Sequence, residues 1–226
     1  MKHIIYGTGS LAKQVFYEAT QYTPEFSIKA FCVADEYLNG ESLYCGLPLI
    51  AESRVLHEYP PDKYNMLSCV DAPSKLRNRI LVFNKLKELG YNLQSYVSPL
   101  ANLSEGVKIG ENNIILANSN VNFDICIGHS NTIRGTAFIS HDVVIGNGTN
   151  ICEGSTVGGS VIIGNSCWLG LNCTVNNRLI IADDTLIGSG AVLMTNTEQG
   201  TSYIGNPAKA FFTHKETGVM LSFKQY

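Results

Sequence analysis

From Val97 onward every sixth residue is aliphatic: Val97, Leu103, Ile109, Ile115, Val121, Ile127, Ile133, Ile139, Ile145, Ile151, Val157, Ile163, Leu169, Val175, Ile181, Ile187 and Leu193. An α-helix cannot keep one face buried at a strict period of six, and a flat strand buries alternate residues. The spacing therefore predicts a coil of short strands, a hexapeptide β-helix, in which three hexads make one triangular turn and residues eighteen apart stack. The residue after the aliphatic is often Gly (Gly110, Gly128, Gly146, Gly158, Gly164, Gly170, Gly188), which reads as relief of backbone strain at each corner. The fifth place of the hexad is often small or β-branched, as a stack that excludes bulky inward groups requires.

Before Val97 the pattern changes. Lys2 to Tyr6 reads as a buried strand, Gly7-Thr8-Gly9 as a tight turn, and Ser10 to Gln21 as a helix with Leu11, Val15, Phe16 and Ala19 on one face. A second strand runs from Ile28 to Val33 and leads to Asp35. A loop with a short strand follows at Gly46 to Ile50, then a strand from Tyr64 to Val70 and a helix from Ser74 to Leu89 closed by Gly90. Strand and helix in alternation predict a small Rossmann-like parallel sheet. The expected organisation is an α/β domain over residues 1–92, a β-helix over 93–209 and a tail over 210–226. Phe211, Phe212, Met220, Leu221 and Phe223 would let that tail pack on a neighbour or hang loose.

Composition narrows the function classes. The net charge is -3 without basic blocks, which argues against nucleic acid as a partner. No run of eighteen apolar residues exists, so no membrane span is expected. The seven cysteines lack CxxC spacing and read as small buried hydrophobes in a reducing cytoplasm, without a metal.

Two places carry chemistry. The Gly7-Thr8-Gly9 turn between first strand and first helix is where backbone N–H groups meet a phosphate, with Ser10 opening the helix and Asp35 placed to bind a ribose or base. The full GxGxxG is absent, since Ala12 and Lys13 follow, which weakens a dinucleotide-dependent oxidoreductase. On the coil, His141 follows Ile139 by two places and so stands at a corner, with Asp142 beside it to fix its tautomer, an arrangement for a general base. Gly159 lies one coil above His141, where a bare amide can receive a developing oxyanion, and Asn177 lies one coil further.

The hexads, Ser140-His141-Asp142, Gly158-Gly159 and Ile204-Gly205-Asn206-Pro207-Ala208-Lys209 resemble the left-handed β-helix acyltransferases. With the Tyr6-Gly7-Thr8-Gly9 domain in front, the chain is similar to the sugar acetyltransferases of the PglD, perosamine N-acetyltransferase and NeuD type. The resemblance implies left-handed coils, a homotrimer with acetyl-CoA between subunits, and a first domain that holds a nucleotide-linked amino sugar. It implies His141 as base, Asp142 as its orienting acid, and Gly159 as the amide facing the thioester carbonyl. It places Gly205, Pro207 and Lys209 near the CoA adenine, Gly7 and Gly9 near the diphosphate, and Asp35 near base or ribose. Asn177 is expected along the same cofactor groove. Where some members carry a second histidine nine residues after the first, this chain has Asn150, expected to serve the cofactor only as a hydrogen-bonding group.

The implied reaction is N-acetylation of a 4-amino-4,6-dideoxy sugar nucleotide in the making of lipopolysaccharide or O-antigen, by direct attack without a metal. O-acetylation of a sialic-acid-like sugar and a non-catalytic trimeric binding module stay open at this level.

Overall fold

The computed structural model describes residues 2–71, 76–214 and 218. The first unit is built from β1 (Lys2–Tyr6), α1 (Ser10–Tyr22), β2 (Ile28–Val33), β3 (Leu43–Tyr44), β4 (Leu47–Ala51), α2 (Glu52–Glu58), β5 (Tyr64–Ser68) and α3 (Asn78–Glu88). The sheet order is β3-β4-β2-β1-β5, parallel except for β3. Ile5, Phe31 and Leu67 meet Leu11, Val15 and Ala19 of α1 on one side. Ile4, Ala30 and Met66 meet Val55 of α2 and Leu86 of α3 on the other.

Three details differ from the sequence expectation. The Gly46 loop is a β3–β4 hairpin whose central residues Cys45 and Gly46 both have positive φ, 49° and 79°, the hand that matches strand twist. The short helix α2 buries only Val55, too little to write a helical period. The expected start of the third helix at Ser74 lies outside the described residues, and α3 begins at Asn78. Its end follows the expectation. Gly90, at φ 88°, donates its N–H to Lys87 while Tyr91 donates to Leu86, which together close the last turn.

From Tyr96–Val97 the chain makes two-residue strands at every hexad, and their pairing is parallel with partners eighteen residues apart. Three sheets result. The first face carries Tyr96, Ile114, Thr132, Asn150, Trp168 and Leu186 outward, the second Asn102 to Val192, and the third Lys108 to Ile180. The aliphatic positions from Ile115 to Leu193 point inward into one continuous core.

The corners correct the expected role of glycine. The left-handed residue is the third after each inward aliphatic: Asn112, Asn118, Asp124, Ser130, Thr136, Asp142, Ser160, Ser166, Asn172, Arg178 and Asp184 all have φ between 53° and 63°. All but Arg178 carry short polar side chains, which tolerate that region better than most. The glycines that directly follow the aliphatics are absent from the positive-φ set. They are required because the next coil presses on them. A Cβ at Gly110 would lie 2.4 Å from Gly128 O, at Gly128 2.6 Å from Gly146 O, and at Gly146 2.8 Å from Gly164 C and O.

Residues expected to begin a tail instead finish the fold. Thr201–Ile204 pairs parallel with Leu186–Ile187, and Lys209–Thr213 folds back antiparallel on it, so Phe211 and Phe212 are strand residues with exposed rings. Met220, Leu221 and Phe223 lie outside the described residues.

The first unit covers the first face and the corner between the third and first faces. Arg77 forms a paired bond with Asp184 at 2.9 and 2.7 Å, the Phe83 and His129 rings meet at 5.3 Å, and Lys87 pairs with Glu111 at 2.8 Å. Buried Arg79 reaches Ser130 O and the Thr132 hydroxyl, and Asp71 binds Arg134. The corner between the second and third faces is thus the one edge of the prism opposite the covered face, and it carries His141.

Candidate active site

His141 sits in a slot one ring thick. Below it, on the previous coil, the Phe123 ring stacks at 5.4 Å and 9°. Above it, Gly159 leaves no room: a Cβ there would stand 2.8 Å from both Cε1 and Nε2 of the imidazole. In the ring plane, Nδ1 lies 2.7 Å from Asp142 Oδ2. That carboxylate keeps the proton on Nδ1 and leaves the Nε2 lone pair free for a substrate proton. The side chains of His141 and Asp142 are 46% and 55% exposed, so this edge is open.

Three of the other four histidines are used structurally. His129 Nδ1 accepts the Glu111 N–H at 2.9 Å, and His214 Nε2 pairs with the Ser202 hydroxyl at 2.6 Å. His3 is buried beside Gln94 and stacked on Phe26, and desolvation lowers its pKa. His57 stands exposed in the last turn of α2, which Tyr59 caps.

The Gly159 amide, expected to be bare, donates to Asn177 Oδ1 at 2.8 Å. The same staple between coils recurs at the neighbouring corner. There His129, Asn147, Asn165 and Asp183 side chains take the amides of Glu111, His129, Asn147 and Asn165 at 2.6 to 2.9 Å. Asn177 is therefore placed in the His141 column as expected, but bound to the glycine amide.

Asn150 is not brought to this site. It is fully buried on the first face, accepts from Arg134 Nε at 3.4 Å and donates to Cys152 Sγ at 3.1 Å. Gly205 and Pro207 belong to the terminal hairpin turn and Lys209 opens the returning strand; the turn docks on the second face through Val192, donor to Gly205 O at 3.0 Å and acceptor from Ala208 at 2.8 Å. Val192 lies three rungs beyond Phe138, roughly 14 Å at about 4.8 Å per rung. His141, Asn177 and the turn thus follow one flank of the prism.

The first unit holds a cleft of about 580 Å³ lined by Gly7, Thr8, Gly9, Glu36, Asp71 and Lys85, among others. Gly7 is held at φ 114°, and a Cβ would meet the Cys69 carbonyl at 3.4 Å. Gly9 has open space around it at the amino end of α1, where helical N–H groups attract a phosphate. Ser10 opens α1 but does not line the cleft. Nor does Asp35: its Oδ1 accepts the Ser53 N–H at 3.0 Å at the start of α2. Hydrogen bonds from the Ser53 hydroxyl and amide hold its carboxyl below the usual carboxylate range. Two acids line the cleft, Asp71 and the Glu36 that follows Asp35; Glu36 was missed because the 3₁₀ turn Asp35–Tyr37 rotates successive side chains apart. Lys85, also missed, enters from α3 and pairs with Glu52 at 2.6 Å.

No family model and no curated protein matches the chain. Solved structures do. A variant of perosamine N-acetyltransferase from Caulobacter crescentus, in complex with CoA and GDP-perosamine, superposes with a TM-score of 0.85 at 23% identity over 94% of this chain and 97% of that one. The acetyltransferase domain of PglB from Neisseria gonorrhoeae, with acetyl coenzyme A, gives 0.81 at 21% identity over 93% and 98%. WeeI from Acinetobacter baumannii gives 0.82 at 22% identity over 93% and 100%. Over 93 to 94% of its length the chain has the fold of these structures: a Rossmann-like α/β unit followed by a left-handed parallel β-helix.

Proposed function

We propose that this chain is an acetyl-CoA-dependent N-acetyltransferase acting on the amino group of a nucleotide-linked 4-amino-4,6-dideoxy sugar, in the building of a cell-surface glycan. The observation that carries the reading is the clamped His141, with Nδ1 held by Asp142 and Nε2 bare at an exposed edge. The glycine-lined cleft at the start of α1 supports a sugar nucleotide, and the fold is that of structures solved with CoA, acetyl-CoA or GDP-perosamine.

In the proposed reaction the acceptor nitrogen attacks the thioester carbonyl as Nε2 of His141 takes its proton. The C–N bond forms, the C–S bond breaks, and the departing thiolate regains the proton from the imidazolium. For the Gly159 N–H to receive the developing oxyanion, the Asn177 carboxamide must swing off it.

We further propose that the site is completed in a homotrimer. Within one chain, His141 lies on the edge opposite the face that the first unit covers, so the cleft that holds the sugar nucleotide is supplied by a neighbouring copy. The third face, beside His141, supports this with an outward column of Val144, Ile162 and Ile180, 46 to 51% exposed. The reducing cytoplasm is the proposed setting: all seven cysteines are free thiols, and no helix among the described residues is long and apolar enough to cross a membrane.

The test is thiol release from acetyl-CoA with GDP-, UDP- and dTDP-linked 4-amino-4,6-dideoxy sugars. His141→Ala should lower kcat/KM by about 10²- to 10⁴-fold, the usual worth of a positioned base. A folded His141→Ala protein with near-wild-type kcat/KM refutes the assignment.

A further inference from the structure

The column through the active-site edge reads Glu105, Phe123, His141, Gly159 and Asn177, one residue per coil. Phe123 is the aromatic member. Its ring is half exposed and adds nothing to the inward core, which the aliphatic positions fill. Its ring partner is His141, near parallel at 9° with centroids 5.4 Å apart, an offset stack. Its backbone carbonyl also accepts the Asp142 N–H at 3.3 Å, so one residue supports both members of the pair from below.

We infer that Phe123 is a positioning residue that holds the His141 imidazole flat against Gly159, so that Nδ1 stays on Asp142 and Nε2 keeps one direction. The inference rests on His141 being the base. Without the flat face below, Gly159 bounds the ring only from above and the single bond to Asp142 is the one polar contact that restrains an exposed side chain. A free histidine has about three staggered wells at χ1 and roughly two orientations at χ2, about six arrangements, of which the slot admits one. Releasing the ring therefore dilutes the productive arrangement by about 3- to 6-fold, the range allowing for partial restraint by Asp142.

The discriminating pair is Phe123→Leu, which keeps apolar bulk and loses the flat face, and Phe123→Tyr, which keeps it. Phe123→Leu should lower kcat by about 3- to 6-fold with KM for acetyl-CoA unchanged. The ring-nitrogen NMR signals of His141, measured without substrate, should change from one tautomer to a mixture. Phe123→Tyr should restore both. Sedimentation of each variant checks that assembly is intact, and Phe123→Met replaces Phe123→Leu if the latter fails to assemble. Wild-type kcat and an unchanged ring spectrum in the variant lacking the flat face would overturn the inference, as would equal losses in Phe123→Leu and Phe123→Tyr. Failure of the base assignment itself shows separately, as retained activity in His141→Ala.

Discussion

Gly158 and Gly159 are neighbours that should respond to alanine in opposite ways. At Gly159 the three atoms nearest the added methyl all belong to the imidazole, at 2.8 Å from Cε1 and Nε2 and 3.4 Å from Cδ2. Unstrained heavy-atom contact is about 3.5 to 4.0 Å, so the ring must retreat by roughly 0.7 to 1.2 Å. Phe123 blocks the way down, and a sideways slide lengthens the 2.7 Å bond to Asp142. A misplacement of about 1 Å in a reacting group costs on the order of 10²-fold in rate. Backbone strain adds nothing, since Gly159 is not in the left-handed region, and Gly→Ala at a compatible site raises stability by about 0.4 to 1 kcal/mol through the unfolded chain. Gly159→Ala should therefore melt at or slightly above the wild-type temperature while kcat for thiol release falls about 10²-fold. Gly158→Ala presses its methyl on the Asn177 backbone N at 2.7 Å and should instead lose stability. If Gly159→Ala keeps kcat within about threefold of wild type, the ring is not held as described and the slot argument fails.

Asp142→Asn should cost less than His141→Ala. Asn tolerates the φ of 56° at this corner, so only the charge and tautomer support of the 2.7 Å bond are lost, and kcat against melting temperature separates the two effects. Ile162→Asp puts a charge in the middle of the exposed third-face column and should shift sedimentation toward monomer with loss of transfer; an unchanged trimer would remove that face from the assembly. Burial lowers the folded-state pKa of His3 from its ordinary 6.5, so the unfolded chain binds the proton first on acidification. Its contribution is full above about pH 6.5 and is lost as pH falls through the folded value. Denaturant midpoints at pH 7.5 and 5.5 should differ less in His3→Gln than in wild type, and an equal difference would count against His3 as a source.

The coil was legible because its rule is one of exclusion: a narrow prism admits only aliphatic groups at Ile115, Ile133 or Ile151, and that leaves a period no other fold produces. The reason for glycine was not legible. Gly110 and Gly128 look like turn residues until the next coil's carbonyl is placed 2.4 to 2.6 Å from where a Cβ would be. The first unit's long strands and helices were readable from β1 and α1, whereas α2, with one buried residue, left no trace. Within the site, His141, Gly159 and Asn177 followed from stacking eighteen residues apart. Asn150 was misplaced although the same arithmetic locates it: nine residues is half a coil, which carries it from the open edge to the covered face. Asp35 and Glu36 differ only in which way a 3₁₀ turn aims them, and nothing in two adjacent acids encodes that.

The regular stacking also makes the prism a ruler. His141 stands at one graduation and the terminal hairpin turn three graduations on. An insertion that is not a multiple of six would turn the aliphatic residues outward, and only a multiple of eighteen returns the turn to the same flank as His141. Excising eighteen residues between Asn177 and the hairpin would leave every ladder paired yet shorten the distance by about 4.8 Å. A ligand anchored at both marks is thereby measured by length, and the chain can retune that measure only in steps of a full turn.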